Sequence, residues 1–237
     1  MKNKIVVITG ASSGIGWATA ESFSKHGAKL ILCGRRKEKL KELSLNLSTQ
    51  SHILTFDVRD RKAVFDAFET LPDEWKNVDI LINNAGNAHG LDPVQTATLD
   101  DWDAMIDGNV KGLMYVTKAL LPRMIENQKG HIINLGSIAG KEVYPNGSVY
   151  CSSKFAVDAF TQGLRIDLNK DGIKVSAIHP GLVHTEFSEV RFKGDQERAA
   201  KVYEGIEALT AKDVADGILY MTQAPKHVNV ADLVLLP

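Results

Sequence analysis

The chain has only two cysteines, no long apolar run and almost no net charge, and each shortage excludes a class of protein. Cys33 falls at the end of a predicted strand and Cys151 inside a predicted helix, so no disulfide framework is expected, and two reduced thiols suit a cytoplasmic protein. No apolar stretch reaches the ~18 residues that a membrane-spanning helix needs. A formal net charge of −1 leaves no basic field to attract nucleic acid or an anionic membrane. Met1-Lys2-Asn3-Lys4 runs straight into an apolar segment, so no signal peptide is expected. Among the seven histidines, His179 and His184 come nearest to a metal-ligand spacing, but Pro180 and Gly181 keep them off a shared helix face; no metal is expected. No repeat, linker or low-complexity tract divides the 237 residues, and 44% hydrophobic content supports a substantial core, so residues 1–237 read as a single domain.

What is present begins with a glycine-rich turn. Ile5 to Ile8 form an apolar β-branched run, the pattern of a strand buried on both faces. Thr9 and Gly10 end it, and Gly14-Ile15-Gly16 opens a helix that runs to about His26 before Gly27. A second strand follows over Lys29 to Cys33. The three glycines suit a dinucleotide: Gly10 for the tight turn, Gly14 for approach of backbone to a pyrophosphate, and Gly16 for close packing of helix on strand. Free amides at the helix start then face the phosphates.

The end of the second strand selects the dinucleotide. An acidic residue there would accept hydrogen bonds from an adenosine 2′-hydroxyl and favour NAD. The chain instead has Cys33-Gly34-Arg35-Arg36, with no carboxylate to repel a 2′-phosphate and two guanidiniums to grip one, so the expectation is NADP. The competing reading makes Arg35 and Arg36, with Lys37 and Lys39, the solvated start of a helix.

Alternation of strand and helix continues to the end. Strands are predicted at His52 to Phe56, Val78 to Asn83, Gly130 to Leu135, Lys174 to Ile178 and Val228 to Leu235. Helices are predicted at Arg61 to Leu71, Leu99 to Asn127 and Ser148 to Asn169. This predicts an α/β fold: a doubly wound parallel sheet of about seven strands with helices on both faces, of the Rossmann type. The segment from His184 to about Leu209 breaks the rhythm where ligands bind in such sheets, and reads either as a substrate lid or as a surface loop without chemistry.

Ser137 ends the fifth strand, and Tyr150 and Lys154 lie four apart on one helix face. A free tyrosine titrates near pH ~10, and a neighbouring ammonium lowers that value, so Tyr150 can exchange a proton with an alcohol. Ser137 can hydrogen-bond the substrate oxygen. A carboxylate on the substrate would need a cation, for which Arg191 is the first choice and Lys193 the second.

Thr9 to Gly16, Asp57-Val58, Asn83-Asn84-Ala85-Gly86, Asn109, Ser137, Tyr150-Cys151-Ser152-Ser153-Lys154 and Pro180-Gly181 together resemble the short-chain dehydrogenase/reductase superfamily. More narrowly, Leu71 to Trp75 and Thr185 to Asp195 resemble the NADP-dependent 3-hydroxy acid dehydrogenases, with serine, L-allo-threonine and malonic semialdehyde among their substrates. The resemblance implies a catalytic set of Asn109, Ser137, Tyr150 and Lys154, with Asn109 anchoring a proton-relay water and Lys154 holding the nicotinamide ribose. It implies a cofactor cleft lined by Gly10, Ser12, Ser13, Gly14, Ile15 and Gly16, by Asp57 and Val58 beside the adenine, and by Asn84, Ala85 and Gly86. Pro180, Gly181, Val183, Thr185 and Phe187 complete it. It also implies a homotetramer through the Leu99–Asn127 and Ser148–Asn169 helices, on which Leu113, Met114, Phe155, Phe160 and Leu164 read equally as outer-face contacts or as ordinary core. Alternatives are a reductase of carrier-bound 3-oxoacyl thioesters, a general carbonyl reductase of the same superfamily, and an inactive NADP-sensing binding protein.

Overall fold

Seven parallel strands form one sheet in the order β3-β2-β1-β4-β5-β6-β9. The computed structural model covers residues 1–237 and places these strands at β1 Ile5–Thr9, β2 Lys29–Gly34, β3 Ser51–Thr55, β4 Ile80–Asn83, β5 Gly130–Leu135, β6 Ile173–Pro180 and β9 Asp232–Leu235. Alternate β1 side chains feed opposite cores. Val7 joins a cluster with Val64 and Phe68 of α3 (Arg61–Glu69), Val116 and Leu120 of α5 (Leu113–Glu126), and Leu164 of α6 (Ser148–Leu168). Val6 and Ile8 join Phe23 of α1 (Gly14–Lys25), Leu40 of α2 (Lys37–Asn46) and Ile218 of α9 (Ala211–Gln223). Both faces of the sheet are thus covered, as β-branched parallel strands require.

From β1 the chain winds outward through β2 to β3, then returns to β4 on the other side of β1. The loops after β1 and β4 therefore diverge and open a crevice at the carboxyl ends of the strands, the place where doubly wound sheets bind ligands. A buried polar ladder braces the floor: Asn83 Nδ2 donates to Thr117 and to Asn134 Oδ1 (both 2.9 Å), and Asn134 Nδ2 donates to Thr161 at 2.8 Å.

The predicted helix over Leu99 to Asn127 is not continuous. It divides into α4 (Leu99–Ile106), a π-helical turn over Asp107–Gly112 and α5, which accommodates Pro122. The wider turn carries Asn109, in keeping with the tendency of such bulges to sit at functional sites. Of the two readings of Leu113 and Leu164, the structure supports the core: both are buried. The 184–209 segment holds two short helices, α7 (Phe187–Arg191) and α8 (Gln196–Lys201). Its ends are pinned where β7 (Val183–His184) pairs with β8 (Leu209–Thr210).

His131 of β5 gives the fold a pH dependence. The ring is buried against Ser176 (2.8 Å), which donates to Asn229, and burial, reinforced by the Lys174 ammonium, pushes His131 down to about 4. Between its free value of 6.5 and about 4, the unfolded chain takes up a proton that the folded chain refuses. Stability is therefore full above the free value and falls as pH drops through that window, by about 3 kcal/mol from this group. His131→Gln should lower stability at neutral pH yet flatten this acid limb; urea midpoints at pH 7 and 4.5 that drop equally in both proteins would refute the assignment.

Candidate active site

Two adjoining cavities of ≈290 and ≈320 Å³ occupy the crevice and share Ile15, Asn84, Gly86, Leu135, Thr185 and Phe187 as walls. The first runs from the glycine turn to the end of β2. It is lined by Gly10, Ser12, Ser13, Gly14, Arg35, Arg36, Asp57, Val58 and Ala85, so the sequence-predicted set converges there. Gly16 does not line it: a Cβ at Gly16 would lie 2.3 Å from the Gly10 carbonyl oxygen, so its role is to let α1 approach β1.

Arg36 is well ordered by its neighbours, with Nε donating to Ser12 Oγ (3.1 Å), one amino group to the Ser12 carbonyl (3.2 Å) and the other to Glu186 (3.0 Å). Arg35 lies 3.7 Å from Asp57, which also accepts a forked pair of bonds from Arg59. Partial burial works against the Asp57 charge, but the Arg59 bonds outweigh it and hold the carboxyl below its usual range. Asn87, on the same wall, has a buried Oδ1 with no partner.

The second cavity brings together the residues expected to handle the proton. Ser137, Tyr150 and Lys154 all line it, with Pro180, Gly181, Val183 and Arg191 opposite. Ser137 caps a 3₁₀ turn over Ile138–Gly140, its Oγ accepting the Ala139 amide at 3.1 Å, so its own hydrogen is left to donate. Ser137 favours the charged form of the neighbouring Tyr150 phenol. The Tyr150 ring stands edge-on to Phe187, with centroids 5.7 Å apart.

Lys154 is buried, donates to the Leu135 carbonyl (2.9 Å) and lies 5.9 Å from the centre of the Tyr150 ring. Burial pulls Lys154 down to about 8. For Tyr150 the expectation from spacing is corrected. Burial pushes its phenol up, with Tyr144 and Cys151 adding, and the opposing pull comes from Ser137 and the Arg191 guanidinium rather than from Lys154. In the free protein the phenol is a protonated acid.

Asn109 sits behind the cleft. Its Oδ1 accepts the Asn87 amide (2.8 Å), and its Nδ2 donates to the Asn87 carbonyl (2.8 Å) and to Ser153 (3.0 Å). Both ends of the side chain are thus engaged by protein groups, and they clamp the turn after β4 to the helix of Tyr150 and Lys154.

A model of the short chain dehydrogenase family matches residues 4–196. The chain belongs to that family. The dehydrogenase is 46% identical over 234 residues to the NADP-dependent 3-hydroxy acid dehydrogenase YdfG of Escherichia coli (strain K12), an alignment that covers 98% of this chain and 94% of that protein. It is 44% identical over 232 residues to serine 3-dehydrogenase of Rhizobium radiobacter, covering 98% and 93%. Among solved structures, the closed form of serine dehydrogenase complexed with NADP+ superposes with a TM-score of 0.96 at 46% identity, covering 98% of this chain and 94% of the other.

The two cations of the 184–209 segment separate. Arg191, at the end of α7, donates to the Gly90 carbonyl (2.9 Å) and to Tyr144 Oη (3.0 Å), and its guanidinium carbon lies 5.7 Å from the Tyr150 ring centre. Lys193 is not in the cavity. Its backbone takes the left-handed conformation (φ +55°) and its ammonium pairs with Asp101 at 3.0 Å on the outer surface. Sequence reasoning placed Glu186 only inside the Thr185 to Asp195 resemblance, with no role, and missed Tyr144 and Asn87; Tyr144 stands alone in its segment, and only Asn87 carries a signal, its place beside Gly86.

Proposed function

We propose that this dehydrogenase transfers hydride between NADP and the C3 hydroxyl or carbonyl of small 3-hydroxy acids, serine, L-allo-threonine and 3-hydroxypropionate being the model substrates. The observation that carries the substrate class is Arg191, a guanidinium facing the same cavity as Ser137 and Tyr150. A guanidinium fork binds a carboxylate in two parallel bonds, which fixes a short hydroxy acid with its hydroxyl carbon in one place. The names of the relatives point the same way.

The residues fit a phosphorylated dinucleotide. Arg35 and Arg36 stand at the end of β2, and the orphaned Asn87 oxygen offers an acceptor on the cleft wall. A bound nicotinamide supplies the hydride acceptor or donor. Tyr150 delivers the proton to the substrate oxygen in reduction and takes it back in oxidation, while Ser137 donates to that oxygen as charge develops on it. Lys154 spends one donor on Leu135 and keeps two for the cleft. Asn109 acts by clamping the Asn87 turn. We read residues 184–209 as the lid, and expect a homotetramer in the cytoplasm, to be checked by light scattering.

The test is nicotinamide absorbance at 340 nm, followed with NADP and a panel of serine, L-allo-threonine, 3-hydroxypropionate, an acetoacetyl thioester and neutral ketones. Free hydroxy acids should dominate in kcat/KM. Faster turnover of the thioester or of neutral carbonyls would replace the reading with a thioester or general carbonyl reductase, and no turnover at all with a binding protein.

The Glu186 carboxylate accepts from one amino group of Arg36 that a 2′-phosphate would use. Both side chains are about half exposed, so the pair is worth little by itself, yet it places a negative charge beside the phosphate position. Glu186→Gln should tighten NADPH binding about three- to tenfold, the effect of a rim charge, and leave NADH unchanged. Fluorescence titration of the two cofactors reads this directly; equal changes in both would show that Glu186 does not act at the phosphate.

A further inference from the structure

Behind Ser137, on the side away from the cavity, the structure holds a polar cluster that none of the chemistry above uses. His179, the next-to-last residue of β6, is fully buried. Its Nδ1 faces the Ser137 carbonyl oxygen at 3.3 Å, and its Nε2 faces Asp232 of β9 at 3.0 Å and Asp158 of α6 at 3.6 Å. The ring is also seated against Gly136, where a Cβ would lie 2.4 Å from Nδ1; any side chain there would displace either the ring or the Ser137 loop. Asp158 follows Tyr150 and Lys154 at i+8 and i+4, so one face of α6 presents the acid, the ammonium and this anchor in successive turns.

The cluster is not a metal site in waiting. Lys141 pairs with Asp158 (2.9 Å) and lies 3.9 Å from Asp232, and Arg165 lies 3.8 Å from Asp232, so its negative charge is already met by cations. What remains is a mechanical arrangement. The Ser137 carbonyl accepts one bond along the chain, from the Gly140 amide at 2.9 Å, which fixes the 3₁₀ turn but not its position against the sheet. One residue earlier the Gly136 amide donates to the Ile178 carbonyl of β6 (2.8 Å); at Ser137 itself the lateral contact is made by His179. A carbonyl and a carboxylate both only accept, so the ring bridges them fully when both its nitrogens carry hydrogen.

We propose that His179, held by Asp232 and Asp158, is the positioning residue for Ser137: it sets the distance from the Ser137 hydroxyl to the substrate oxygen and to Tyr150. The proposal rests on the reading of Ser137 as the donor to the substrate oxygen. It assigns His179 no contact with substrate or cofactor, so its effect must pass through Ser137 alone. A donor displaced by a fraction of an ångström loses most of its contribution to a developing charge, whereas cofactor binding in the neighbouring cavity is untouched.

The experiment is a double-mutant cycle on kcat for serine or L-allo-threonine oxidation, with NADPH affinity measured in parallel. His179→Phe fills the same space and leaves the Ser137 carbonyl with its Gly140 bond. In the otherwise native enzyme it should lower kcat about tenfold or more, with the NADPH Kd changed less than about twofold. In a Ser137→Ala background the same substitution should change kcat less than about twofold, because there is no hydroxyl left to misplace. An equal loss in both backgrounds means that His179 supports the fold generally, and an unchanged kcat in the native background means that it supports nothing in the reaction; either outcome overturns the proposal. Should His179→Phe fail to fold, Asp232→Asn carries the same comparison with a smaller expected loss, and the same two outcomes overturn it. Wild-type and Ser137→Ala rates test the underlying reading separately. A wild-type enzyme without NADP-linked turnover, or a Ser137→Ala enzyme as fast as wild type, removes that reading, whereas an enzyme that needs Ser137 but ignores His179 removes only the positioning role.

Discussion

Replacing Tyr150 by Phe is expected to lower turnover of hydroxy acids by about 10³-fold, within the range for loss of a positioned acid–base group, while NADPH still binds. The substitution is conservative for the fold. The ring keeps its place edge-on to Phe187 and only the hydroxyl is removed. What is lost is the phenol that can give and take a proton at the substrate oxygen: Ser137 is too weak an acid, Lys154 is turned to Leu135, and the cavity's other phenol, Tyr144, is engaged by Arg191. The two directions should differ in pH dependence. Burial raises the Tyr150 phenol above its ordinary value, so it is protonated throughout the neutral range. Reduction consumes a proton and is served by that state, so its kcat/KM should be flat near neutrality. Oxidation needs the phenolate and should rise with pH. Lys154, pulled to about 8, loses its charge over the upper part of that range and makes the rise shallower. Tyr150→Phe should abolish the rise together with the rate. Activity within tenfold of wild type, or an unchanged pH profile, would show that another group handles the proton.

Most of the architecture could be read in advance because β-branched runs separated by helical periodicity have few solutions other than a covered parallel sheet. Strand β3 was legible to within a residue, and the glycine turn, Ser137, Tyr150 and Lys154 converge on the crevice where their spacing put them. Three features were hidden, each for a physical reason. The π turn around Asn109 inserts one residue into the backbone hydrogen-bonding pattern, and side-chain periodicity over a long apolar helix barely registers it. The contact of Arg36 with Glu186 joins exposed residues 150 positions apart, which leaves no local pattern. The upward push on Tyr150 depends on how thoroughly the fold desolvates it, and spacing along a helix places Lys154 nearby without saying that one of its donors goes to Leu135. Arg191 and Lys193 illustrate the same limit at close range. Both are cations of the 184–209 segment two residues apart, and the left-handed turn at Lys193 sends one outward to Asp101 while α7 aims the other inward.

That separation makes Arg191 the residue on which substrate class depends. Arg191→Ala should raise the Michaelis constant for free hydroxy acids and lower their kcat/KM by about 30- to 1000-fold, the loss of ~2–4 kcal/mol from a buried charge-assisted pair. NADPH binding should be spared, because Arg191 lines the cavity of Tyr150 and not that of Arg36. Collapse of the lid is the competing explanation for such a loss, and the structure provides a way to separate the two. Helix α7 is tied to the loop after β4 by a backbone bond from the Gly90 amide to the Arg191 carbonyl (2.8 Å), which any residue at 191 retains. A neutral ketone therefore probes the lid without the anchor, and its slow turnover should change by only a few-fold. Arg191→Lys keeps the charge but loses the planar fork and the bonds to Gly90 and Tyr144, so it should recover only part of the affinity. If acids and neutral ketones lose rate in the same proportion, the guanidinium is holding the lid rather than the substrate, and the 3-hydroxy acid reading loses the observation that carries it.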